Sequence, residues 1–258
     1  MMAFLHRHPW VVTLASIAVV LAAWAIATYT GAVSDLLLPT PDELWEGAAD
    51  LVLNGYKGYS LGGHIGISLL RVALGFGFGS LIGTLLGLGM GVSPRLDALA
   101  APFIEFLRPL PQLAYLVLLI IWFGIGETPK IILLFLAALP VSAVAARDGV
   151  RNVAPERVLA AQSLGASRGQ IFLHVVLPSA LGEIFIGARL SIGIVYATLI
   201  AAEMIAGANG IGWLILDAGR FLRSDYVIAG ILIIAVMGIG LDRGLLIAQR
   251  RLVHWAGK

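Results

Sequence analysis

The stretch Val72-Ala-Leu-Gly75-Phe-Gly77-Phe-Gly79-Ser-Leu-Ile-Gly83-Thr-Leu-Leu-Gly87-Leu-Gly89-Met-Gly91-Val-Ser-Pro94 carries no charge over its whole length. It exceeds the ~18 apolar residues that mark a membrane-crossing helix. Glycine returns every fourth residue, at 75, 79, 83, 87 and 91, with Gly77 and Gly89 beside the row. Residues four apart share one face of a helix, so the row makes a shallow groove that a second helix can enter closely. In water each such glycine costs about 1 kcal/mol against alanine in a helix interior. In a bilayer the helix is kept, because an unpaired backbone group costs more.

Four further stretches are uncharged: Pro9–Ser34, Pro109–Gly126, Ile131–Ala146 and Tyr226–Leu241. Across all 258 residues, 59% are apolar and 12% charged, with a mean hydropathy of +0.95. Soluble domains run nearer 45–50% apolar and about 25% charged. These values exclude an ordinary soluble enzyme, a disordered tail and a nucleic-acid binder. The absence of cysteine removes disulfides, thiolate metal sites and cysteine nucleophiles. The expectation is an all-α integral membrane protein, a single domain over residues 1–258. Its six spans lie near 10–29, 64–92, 103–123, 130–146, 181–204 and 226–247. The first is longer than the apolar core of a signal peptide, so it reads as a retained anchor.

Charge placement orients the spans. With the N-terminus inside, the inner segments hold Arg7, Arg95, Arg147, Arg151, Arg157, Arg168, Arg243, Arg250, Arg251 and Lys258. The outer segments hold Lys57, Lys130, Arg220 and Arg223. Lysine and arginine collect in cytoplasmic loops, so both termini are expected there. In the outer loop, Thr40 is placed to cap a short helix from Pro41, with Asp42 and Glu43 at its positive end. That helix is expected to lie along the membrane surface.

Two features inside the spans carry possible function. Glu105-Phe-Leu-Arg108-Pro109-Leu-Pro111-Gln112 holds two prolines, which remove backbone donors and break a helix. Broken helices at membrane depth are tolerated within protein or beside a water-filled path. Glu105 and Arg108, three apart, suit either a structural pair or a gate. Glu183, Arg189 and Glu203 fall in or at the ends of the fifth span, where charge faces a bundle interior or cavity. Arg189 suits an anionic solute, or a pair with Glu105 or Glu183. Glu203, before the turn-rich Ala206–Gly210, is near enough to the outer end to snorkel. The tentative pathway set is therefore Glu105, Arg108, Gln112, Arg189 and Glu203.

The segment Arg147–Pro178 reads as a loop with helices near Pro155–Leu164 and Ser167–Val176, Gly165 between them, and Pro178 ending the second. Its Ala160-Ala161-Gln162-Ser163-Leu164-Gly165-Ala166-Ser167, followed by Val175-Val176-Leu177-Pro178, resembles the "EAA" loop of ABC importer permeases. Gly165 and Leu177-Pro178 stand at that family's spacing. Leu159 occupies the position of the motif glutamate, with Glu156 one turn earlier, and Val175 replaces an isoleucine. Arg108-Pro-Leu-Pro-Gln, Ile121-Trp-Phe-Gly-Ile-Gly-Glu-Thr and Ala201-Ala-Glu-Met-Ile-Ala-Gly look like the nitrate/sulfonate/taurine group, and most like its taurine permeases.

The resemblance implies a type I importer permease on the bacterial inner membrane. It implies a second permease subunit, two ATPase subunits and a periplasmic binding protein. Taurine or another sulfonate is the implied solute; nitrate, cyanate or an aromatic anion is the alternative. Residues 160–167 with Arg168 would be the ATPase-coupling surface. No cofactor is expected in this chain. Its one Gly-Lys pair, Gly257-Lys258, is no P-loop, so ATP and magnesium would sit on the partner ATPase. A secondary transporter and an intramembrane enzyme are the alternatives from other classes. The enzyme would need a nucleophile and base, or metal ligands, at span depth. None of His6, His8, His64, His174 and His254 is mid-span by this topology, and no His-Glu-x-x-His is present.

Overall fold

In the computed structural model, residues 9–253 are described. Arg7, Lys258 and both termini, which enter the charge argument, lie outside the described residues. The described chain is a series of helices: α1 (Pro9–Tyr29), α2 (Pro41–Leu53), α3 (Leu61–Val92), α4 (Pro94–Leu107), α5 (Leu116–Phe123), α6 (Glu127–Arg151), α7 (Pro155–Ser163), α8 (Arg168–Ile171), α9 (Leu177–Ala206), α10 (Ile211–Arg220) and α11 (Ser224–Leu252). Five are long and apolar enough to cross a membrane: α1, α3, α6, α11, and α8 running on into α9. This is an all-α integral membrane protein.

The third expected span, 103–123, is not one helix. α4 ends at Leu107, a 3-10 turn occupies Gln112–Tyr115, and α5 follows. The two halves are bent by 92°. Pro109 and Pro111 cause the break, since neither offers an N–H and each ring crowds the preceding turn.

The chain packs as two units. One combines residues up to 62 with 214–232. Its core is Leu51, Leu214, Ala218, Tyr226 and Ala229. Thr40 caps α2 as expected: its hydroxyl accepts from the Glu43 amide at 3.2 Å, and the Glu43 carboxylate accepts from the Thr40 amide at 2.8 Å. Asp217 accepts from Lys57 at 2.6 Å and from the Tyr56 hydroxyl at 2.9 Å. Burial alone would raise the Asp217 carboxyl, but these two donors outweigh it and hold it below the usual range. Burial first, and then the bond to Asp217, pushes the Tyr56 hydroxyl up to about 12.

The second unit combines residues 63–213 with those from 233 on. The glycine row of α3 lies against α6 along its whole length. A Cβ at Gly79, Gly83 or Gly87 would stand 2.6, 2.4 or 2.0 Å from the backbone oxygens of Phe135, Leu139 and Ala143. Gly77, off the row, has nothing within 4 Å. On its other side α6 meets α9, where a Cβ at Gly187 would be 2.1 Å from that of Ala145. Val72, Leu134, Ala137, Ala138, Ile192, Val195 and Leu199 fill the core between these helices.

Candidate functional site

The loop 152–167 is built by local rules. Pro155 starts α7, where a missing N–H costs nothing. The helix closes with Gly165 at φ +80°. The Gly165 amide donates to Gln162 O at 2.9 Å and the Ala166 amide to Ala161 O at 3.1 Å. These two bonds make a Schellman cap, which needs a left-handed residue at the Gly165 position. Ser167 then caps α8: its hydroxyl accepts from the Gln170 amide, and the Gln170 side chain accepts from the Ser167 amide. The result is a two-helix elbow with a cap on each side of the bend. Its bend exposes Leu164 at 88% and Leu159 at 59%. Ala161, Leu164, Ala166, Gln170 and Ile171 help to line a shallow hollow beside it.

Pro178 does not end the second helix. Five residues, Phe172–Val176, form a π turn in which the Leu177 amide donates to Phe172 O, and α9 continues from there. In a straight α-helix the Pro178 ring would meet the His174 carbonyl; the wider turn removes that clash. The elbow is thus continuous with a membrane-crossing helix.

A second constellation lies in the same unit. Arg71 of α3 is 1% exposed and Glu203 of α9 is 0% exposed, with 2.6 Å between Nη1 and Oε1. Arg71 also holds Glu127 by two bonds, Nε to Oε2 at 2.6 Å and Nη2 to Oε1 at 2.7 Å. Its remaining donors reach Asn209 O at 3.1 Å and Asn209 Oδ1 at 2.5 Å. All five guanidinium N–H groups are thereby used. Glu203 accepts from Ser68 at 2.7 Å and from the Gly212 amide at 2.9 Å, at the positive end of α10. Lys130 adds a bond to Glu127 at 3.0 Å. Two cations and two carboxylates balance in one network, with Arg71, Lys130 and Glu203 buried and Glu127 open at its edge. Gly210, at φ +101°, clears the Glu203 carboxyl, which a Cβ there would meet at 2.4 Å.

The proposed pathway residues do not form one cluster. Glu203 is enclosed by the network just described; it does not snorkel. Glu105 pairs with Arg147 at 3.7 Å, not with Arg108. Arg108 keeps the helical register, its amide donating to Ile104 O at 3.2 Å, but the Glu105 carboxylate turns to Arg147 of α6 instead. Arg108 is exposed at the bend, and Gln112 opens the 3-10 turn. Arg189 pairs with Asp242 of α11, at 2.9 and 3.0 Å, and not with Glu105 or Glu183. Arg71 and Asp242 are the residues that sequence reasoning missed. Arg71, a cation inside a span, was the available signal; Asp242 marked only the end of an uncharged run.

The described chain is thus a multi-pass helical bundle with a capped two-helix elbow continuous with a spanning helix. The chain belongs to the family described as the binding-protein-dependent transport system inner membrane component, which matches residues 79–254. It is 42% identical to the taurine transport system permease protein TauC of Escherichia coli (strain K12), over 95% of this chain and 90% of that protein. It is 36% identical to a Bacillus subtilis (strain 168) protein provisionally named an aliphatic sulfonates transport permease, SsuC, over 96% and 89%. In fold it is similar to a solved amino acid ABC transporter, with a TM-score of 0.57 at 20% identity, covering 74% of this chain and 91% of that one. The fold is that of a type I ABC importer permease.

Proposed function

We propose that this permease carries taurine or a related sulfonate from a periplasmic binding protein to the cytoplasm by alternating access. A second copy of the chain completes the path, and two ATPase subunits, binding ATP and magnesium, drive it. The permease itself performs no covalent chemistry. In this reading both termini and the elbow are cytoplasmic, and residues 160–168 dock on the ATPase. ATP-driven movement of the ATPase would pull on the elbow, and α9 would carry the pull into the bundle without an intervening flexible linker. Arg108, exposed at the bend, and Arg189 offset the solute's negative charge. The names of the relatives support the solute class.

The observation that carries the reading is the elbow. It is capped at both helices and presents two leucines outward with nothing in its own unit covering them. Gly165→Asp tests it. A Cβ there meets nothing within 4 Å, so the cost inside the chain is only the left-handed strain of about 1–2 kcal/mol. The variant is expected in the membrane at the parental level, with pull-down of the ATPase reduced and uptake of labelled taurine abolished. Intact pull-down with parental uptake refutes the docking role.

A further inference from the structure

Arg189 and Asp242 form an ion pair that the neighbouring side chains leave partly open. Arg189 stands eight residues into the expected span 181–204, about 12 Å from its inner end at 1.5 Å per residue, and Asp242 five residues, about 7.5 Å, from the inner end of 226–247. Yet the Arg189 side chain is 36% exposed and that of Asp242 45%. The Arg71–Glu203 pair, by contrast, is sealed. Charges at membrane depth face a bundle interior or a water-filled cavity far more often than lipid.

The pair is held in place but open on one side. Tyr196 closes the neighbouring turn, donating from its hydroxyl to Ile234 O at 2.7 Å while its ring lies against Gly238. Arg189 uses Nε and Nη2 on Asp242. Its Nη1 has no acceptor among the described residues. Gly193, one turn further along α9, has nothing within 4 Å of where a Cβ would stand, so room remains beside the guanidinium.

We propose that Arg189 and Asp242 form a subsite matched to a zwitterion, with Arg189 taking the sulfonate and Asp242 the ammonium of an amine-bearing sulfonate. This rests on the sulfonate-import reading above. When such a solute enters, one internal ion pair is exchanged for two ion pairs to the solute. No charge is then left alone at membrane depth. A sulfonate without an amine takes Arg189 and strands the Asp242 carboxylate. Asp242 is thus a specificity-determining residue, selecting for the amine.

The test uses the assembled permease–ATPase complex in lipid nanodiscs without binding protein. Saturation-transfer NMR compares taurine with 2-hydroxyethanesulfonate, in which a neutral hydroxyl replaces the ammonium. The parental complex is expected to favour taurine about tenfold, the worth of one charge-assisted bond. Asp242→Asn is expected to remove that preference, and Asp242→Glu to keep it. Equal affinity for the two solutes in the parental complex, or an unchanged preference in Asp242→Asn, overturns the subsite. If Asp242→Asn does not assemble, the parental comparison and Asp242→Glu decide the matter. Uptake with the binding protein present separates the two levels. A parental system that imports neither sulfonate refutes the import reading, whereas one that imports taurine but binds both solutes alike refutes only the subsite.

Discussion

Gly87→Ala adds one methyl group to α3 where α6 comes nearest. The new Cβ would lie 2.0 Å from the Ala143 oxygen, 2.8 Å from its carbonyl carbon and 2.9 Å from its Cα. Ordinary contact begins near 3.4 Å, so α6 must retreat by about 1.4 Å. The obstacle is helix backbone, which cannot turn aside as a side chain can. Nor has α6 slack behind it, because Gly187 of α9 presses on Ala145 from the other side. Overpacking of this kind costs about 1–3 kcal/mol, and a backbone obstacle places this case at about 3. At roughly 2–4 °C per kcal/mol, the midpoint of thermal unfolding should fall by roughly 6–12 °C. Gly77→Ala is the matched control on the same helix. Its Cβ meets nothing, so it should hold or gain stability, by up to about 1 kcal/mol of helix propensity. The assay is the loss of the monodisperse size-exclusion peak of detergent-purified variants after heating. Equal midpoints for the two variants would refute the close packing of α3 on α6.

Other perturbations follow from the same geometry. Glu203→Gln leaves Arg71 and Lys130 buried with a single carboxylate between them, which should cost about 3–5 kcal/mol and deplete the permease from the membrane fraction; a parental level on quantitative immunoblotting would contradict the network. The Asp217 carboxyl is depressed in the folded chain, so its stabilisation is full above its ordinary value near 3.9 and lost as pH falls through the lower folded value. Tyr56 is raised to about 12, so its contribution is full below the ordinary value near 10 and lost as pH rises through 12. Hydrogen-exchange protection across Tyr56–Tyr59 should therefore drop on both flanks, and Asp217→Asn should abolish the acid-side drop.

The membrane class, the glycine groove and the elbow were legible because each is encoded locally. A four-residue glycine period is a statement about one helix face, and Ala161, Gln162, Gly165 and Ser167 make their caps with near neighbours. What escaped is what distant chain brings together. Arg71 finds Glu127 across 56 residues and Glu203 across 132, and nothing in the spacing of either announces the other. Arg189 was visible as a cation in a span, but its partner Asp242 lies 53 residues away. Pro178 was read as a helix end, wrongly, for a different reason. A proline after an apolar run suits a helix end and a first helical turn equally, and the π turn before it decided for the second.

The central claim is that this chain is the membrane path of an ATP-driven importer for a sulfonate. Its most direct test is uptake of labelled taurine into proteoliposomes holding the permease with its ATPase and supplied with its binding protein. The account predicts uptake that requires internal ATP and the binding protein together and that persists when ion gradients are collapsed. Uptake driven by an ion gradient without ATP would contradict it.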